Sequence, residues 1–168
     1  MNTTTIHQAL APLVGHPLRT IGRAANMVWL HFGEMREVTT RDGGTKTVGD
    51  WAVHVQCPWR ISKRGRIVIA YRDFYYSPVG DVLDDWDTAG ASQFDSAAVS
   101  LRTEFETDPP VVTSVQPEDV VGFSIYFSHD YRLDVFPDCS SDLSEYWRIF
   151  QPGDSSKHFV FSSHGPAV

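Results

Sequence analysis

Between Met27 and Tyr76 the chain alternates apolar and polar positions with a period of two, the pattern of half-buried strands. Met27–Thr39 sets Val28, Leu30 and Phe32 on one face and Trp29 and His31 on the other. Asp50–Ile61 places Trp51, Val53, Val55, Cys57 and Trp59 against Ala52, His54 and Gln56. Pro58 lacks an N–H and marks an edge or bulge near the end of that run. Arg41-Asp42-Gly43-Gly44 is a turn by composition, because Asp-Gly and Gly-Gly accommodate positive φ. Lys63-Arg64-Gly65 turns the chain again, into Arg66–Tyr76. The three runs predict a three-stranded antiparallel meander.

A helical period shows at two places. Pro17 opens a predicted short helix through Ala25, with Leu18, Ile21 and Ala25 near one face and Gly22 interrupting it. After a loop over 77–91, Ser92 caps a longer helix to about Thr107, where Phe94, Ala98, Leu101 and Phe105 recur at helical spacing. Asp108-Pro109-Pro110 ends it. Beyond lie predicted strands Val111–Val115, Gly122–Ser128 and Tyr131–Phe136, with His129-Asp130 as a turn. Following a loop over Asp138–Ser144, Tyr146–Phe150 and His158–Ser162 form a hairpin around Pro152-Gly153. The expected class is α+β and β-rich: two antiparallel meanders making a bent or two-layer sheet, one covering helix and a short N-terminal helix, in one domain spanning 1–168.

Composition supports a packed core, with 42% hydrophobic and 12% aromatic residues. No apolar run approaches the length of a membrane span, and MNTTTIHQALAPLVG lacks the basic and apolar blocks of a leader, so a cytoplasmic protein is expected. The two cysteines, Cys57 and Cys139, read as reduced thiols there. Charge is distributed unevenly. Residues 1–77 hold ten Lys/Arg against five Asp/Glu, a balance of +5; residues 78–168 hold four against sixteen, a balance of −12, and the two give the net −7. An acidic half disfavours nucleic acid and attracts basic partners.

Candidate chemistry is sparse. In the loop Asp81–Gly90, aligning Asp85 and Asp87 as first and third calcium ligands puts Gly90 sixth. Ala89 then falls fifth and Ser96 twelfth, where a bidentate Glu is required, so an EF-hand is excluded. The loop reads either as solvated acids flanking a buried Trp86, or as an interface made of Asp81, Asp84, Asp85 and Asp87 with Trp86 as aromatic anchor. His54 and Cys57 are three apart on a strand and point to opposite faces, and His129, Asp130 and Cys139 lack paired short ligand spacings. No metal and no cofactor is therefore expected. No GxSxG elbow and no phosphate-binding Gly loop occur. The basic turn Arg60–Arg66 reads as a solvated tip that discourages edge pairing. One catalytic constellation remains: in one register His31, His54 and Asp73 align across three neighbouring strands, a row suited to proton transfer or metal binding. A slip of one residue destroys it.

The stretch Tyr131-Arg132-Leu133-Asp134-Val135-Phe136-Pro137-Asp138, then Glu145-Tyr146-Trp147-Arg148-Ile149-Phe150 and His158-Phe159-Val160-Phe161, resembles the endings of small uncharacterised bacterial domains, some proposed as immunity proteins of toxin systems. That resemblance transfers no catalytic residue. With the acidic half, it implies a protein-binding module, an immunity or accessory protein masking a basic partner. The alternative is a small-molecule-binding or metal-assisted enzyme domain built on a concave sheet lined by His31, His54 and Asp73.

Overall fold

The computed structural model describes residues 3–140, 145–154 and 158–167. Two antiparallel sheets carry the chain. A six-stranded sheet is ordered β1 (Leu18–Ala24), β2 (Met27–Phe32), β5 (Trp51–Val55), β11 (Glu145–Phe150), β12 (Phe159–Ser162) and β13 (Gly165–Ala167). A five-stranded sheet is ordered β7 (Arg66–Ala70), β6 (Trp59–Lys63), β10 (Tyr131–Val135), β9 (Phe123–Phe127) and β8 (Val112–Pro117). β3 (Arg36–Thr39) and β4 (Thr45–Val48) pair only with each other, as a mostly exposed hairpin. Among the described residues there are two α-helices, α1 (Thr3–Leu10) and α2 (Gln93–Thr107).

Each predicted meander divides between the two sheets. At Cys57–Pro58 the chain leaves β5 and enters β6 in the other sheet. Pro58 has no N–H to offer there, while its carbonyl accepts from Phe136 N at 3.0 Å. β8, β9 and β10 are consecutive neighbours, but the chain then returns to the first sheet, where β11 pairs with β5. The sheets are also stitched at the Pro17↔Val111 bridge, where Leu18 N donates to the Pro110 carbonyl at 2.9 Å.

The segment expected as a helix from Pro17 to Ala25 is the strand β1. A bulge between Leu18 and Thr20 sets Leu18 opposite Phe32 and Thr20 opposite His31. One extra residue puts Leu18 and Ile21 on the same buried face three positions apart, which imitates helical spacing. The N-terminal helix lies earlier, at α1, which buries Ile6, Ala9 and Leu10 and packs against β8. Met27–Thr39 is likewise broken: Gly33, at φ +84°, separates β2 from β3, and the Asp50 carboxylate accepts from Glu34 N at 2.8 Å across the break.

Between the sheets Val28, Leu30, Phe32, Val53 and Val55 meet Trp59, Ile61, Ile125, Leu133 and Val135, all buried, in one contiguous core. Helix α2 contributes Phe94, Ala98, Leu101 and Phe105, buried at the spacing its sequence predicts. It packs against β1, β7 and the turn Tyr71–Tyr75, with Trp59, Phe74 and Phe94 forming an aromatic cluster at 4.6–6.1 Å between centroids.

Candidate functional site

An open groove of about 730 Å³ runs between α2 and the β1–β2 edge, with Gly22, Trp29, Val99 and Arg102 among its walls and Asp87, Ala89 and Gly90 at its rim. Its floor follows from one register pair. Gly22 faces Trp29 across β1 and β2, and a Cβ on Gly22 would lie 2.1 Å from the indole Cζ2, so only glycine lets the ring lie flat there.

Arg23, the next residue, organises the rim, and its side chain is only 8% exposed. Its Nε and Nη2 donate to Asp95 at 2.8 and 3.0 Å, its Nη1 to Asp87 at 3.0 Å, and its Nη2 also reaches the carbonyls of Trp86 and Thr88 at 3.4 Å. Asp95 accepts as well from Gly90 N and from the Ser92 hydroxyl, while the Ser92 hydroxyl accepts from Asp95 N at 3.1 Å. This is a capping box with Asp in the Glu position. The guanidinium beside it holds the Asp95 carboxyl down at about 2. Sheet edge, helix N-terminus and loop are thus tied at one charge cluster.

The loop over 77–91 is fixed by this cluster and by its own backbone bonds, Leu83 N to Tyr75 O at 3.0 Å and Gln93 N to Tyr76 O at 2.7 Å. Among the residues expected to form an interface, Asp81, Asp84 and Asp85 are exposed, with Asp85 accepting from the Thr88 hydroxyl at 2.8 Å. Asp87 is exposed too, but spent on Arg23. Trp86 is half-buried against Tyr75, 5.2 Å between ring centroids, and so holds the loop to the body. Val79 and Val82 of the same loop and Val99 of α2 (55% exposed) stay in water.

The row His31–His54–Asp73 does not form. His31 and His54 share the outer face of the six-stranded sheet as diagonal neighbours, for His31 faces Ala52 and His54 faces Trp29. The strand on the other side of β5 is β11, which puts Arg148 opposite His54. Asp73 follows β7, in the other sheet, and its carboxylate accepts from Ala70 N at 2.8 Å. Burial pushes both imidazoles down to about 4, so they are neutral at pH 7, and His31 Nδ1 accepts from Gly49 N at 3.1 Å. Glu145, the carboxylate beside this face, is bound by Arg148.

Other candidates resolve into structure. Burial pushes the Cys57 thiol up to about 12, which suppresses its thiolate, while Cys139 lies exposed. His129 faces Asp108 at 3.3 Å. Within the basic turn Arg60 pairs with Asp134, Lys63 with Glu104 and Arg64 with Asp130, at 2.6–3.3 Å, so most of its charge is answered inside the molecule. Among the described residues no three His, Cys, Asp or Glu side chains converge as metal ligands, and no helix is long and apolar enough to cross a membrane. Sequence reasoning missed Arg23, Trp29 and Val99. Ser92-x-x-Asp95 was a legible cap, but nothing local announces that its carboxylate meets an arginine 72 positions away.

No family model matches the chain, and no curated protein or solved structure matches it significantly.

Proposed function

We propose that this chain is a protein-recognition module, an accessory or immunity protein that takes a basic, apolar-bearing segment of a partner along the groove between α2 and β1. The observation that carries this reading is a rigidly held acidic loop bordering an open groove. The loop lends Pro78, Asp87, Ala89 and Gly90 to the groove, which α2 lines with exposed Val99; the same loop carries exposed Asp81, Asp84 and Asp85 and exposed Val79 and Val82. The ionisable groups lining the groove are Arg23, Asp87, Asp95 and Arg102. Asp87 and Asp95 are both engaged by Arg23, an arrangement that suits recognition better than proton transfer. Opposite charge across such a surface speeds association and rejects acidic competitors.

Peptides pairing Lys or Arg with Leu, Val or Trp test it directly, with acidic peptides of equal length as controls. Basic–apolar peptides are expected to bind selectively, more weakly as salt rises, with Asp84→Asn plus Asp85→Asn raising Kd several-fold, mainly through slower association. Val99→Arg should block the groove. Asp87 is left intact, because its loss would loosen the loop through Arg23. Unchanged affinity and salt dependence in the double variant would refute the assignment.

A further inference from the structure

Beside the Pro58 corner, where the chain crosses between sheets, a second cavity of about 570 Å³ opens. It shares no lining residue with the α2 groove. Pro58, Tyr71 and Tyr75 form part of its wall together with Ile67 and Phe136, and these last two are 62% and 40% exposed. A single exposed apolar side chain is ordinary; two of them bordering one hollow with two tyrosines make a surface whose water is readily displaced. The volume lies within the range of small-molecule sites.

Charge around this cavity is specific. Arg60 is committed to Asp134 at 3.1 Å and lies over the Phe136 ring. Arg72 donates from Nη2 to the Tyr76 hydroxyl at 2.8 Å, its guanidinium 5.6 Å from that ring's centroid. Among the described residues no carboxylate pairs with it. Asp138, exposed on the same lining, carries the opposite charge.

We propose that this cavity binds a small amphipathic monocarboxylate. Its apolar body lies among Ile67, Tyr71, Tyr75 and Phe136, and its carboxylate meets the guanidinium of Arg72, whose planar fork matches a carboxylate bidentately. Asp138 repels any carboxylate brought near it, and a dianion more than a monoanion, so monoanions are selected over dianions. This site stands whether or not the α2 groove recognises a protein.

The test is a titration of the ¹⁵N-labelled protein with 4-phenylbutyrate, followed by the amide signals and by the indole N–H of Trp59. That residue also lines the cavity, and its nitrogen is buried with no hydrogen-bond partner among the described residues. Saturable shifts confined to Ile67, Tyr71, Phe136 and Trp59 are expected, with Kd on the order of 0.1–1 mM for so open a site. The neutral 4-phenylbutyramide, phenylsuccinate as dianion, and Arg72→Gln should each weaken binding about fivefold or more. Shifts that fail to saturate, or that map elsewhere, overturn the site. Equal binding of acid and amide to the unmodified protein overturns the role of Arg72, independently of how any variant folds.

Discussion

Arg23 and Asp95 are both poorly exposed and each has several partners. Removing Asp95 takes away two charged hydrogen bonds of Arg23 and leaves it Asp87 and the Trp86 and Thr88 carbonyls. Asp95→Asn is expected to cost about 1–2 kcal/mol in urea unfolding, between an exposed and a buried pair. Asp87→Asn, at an exposed carboxylate, should cost below about 1 kcal/mol. The acid response follows from residues too. His31 and His54 have folded-state pKa values near 4, below the ordinary 6.5, so the unfolded chain binds protons first. Their contribution is full above pH 6.5 and is lost as pH falls to 4. Asp95, at about 2 against 3.8, adds a further loss from pH 4 downward. Urea midpoints measured from pH 7.5 to 3 should therefore fall in two stages, and His31→Gln with His54→Gln should flatten the first.

At the scale of elements, β1 shows both the reach and the limit of sequence reading. Its bulge at Arg19 converts a period of two into a spacing of three, and the chain then looks helical where it is extended. Gly22, which read as a break in a helix, is the space occupied by the Trp29 ring. Gly22→Ala should destabilise by about 1–3 kcal/mol through overpacking, seen as a lower melting temperature, with Trp29→Ala relieving the clash in the double variant. Helix α2, by contrast, was legible in full, since its cap, its apolar stripe and its Pro-Pro stop are all local signals. Ser92→Ala should cost about 1 kcal/mol, because a buried cap hydroxyl is lost. The strands themselves were legible wherever alternation was unbroken, as in β2 and β5. The pairing of β2 with β5 was legible too, but the other neighbour of β5 was not, because that pairing joins residues about ninety positions apart, as with His54 and Arg148.

For the whole molecule, the charge imbalance visible in composition is only partly a surface property. Several acids of the second half are matched to bases of the first: Asp134 to Arg60, Glu104 to Lys63, Asp130 to Arg64, and Asp87 and Asp95 to Arg23. The +5 and −12 halves thus attract each other on folding. Of the rest, Asp81, Asp84 and Asp85 lie together on the loop over 77–91, a grouping that the half-by-half count does not locate. The pairing of β5 with β11 also sets an order in time. While a ribosome extends the chain from Val55 towards Glu145, the hydrogen-bonding edge of β5 faces no strand, and Val53 and Val55 lack the cover of Trp147 and Ile149. A nascent or prematurely terminated chain ending near residue 140 therefore presents an open, apolar strand edge, the form that templates aggregation. Emergence of β11, rather than of the first sheet's early strands, is the moment at which this edge is covered.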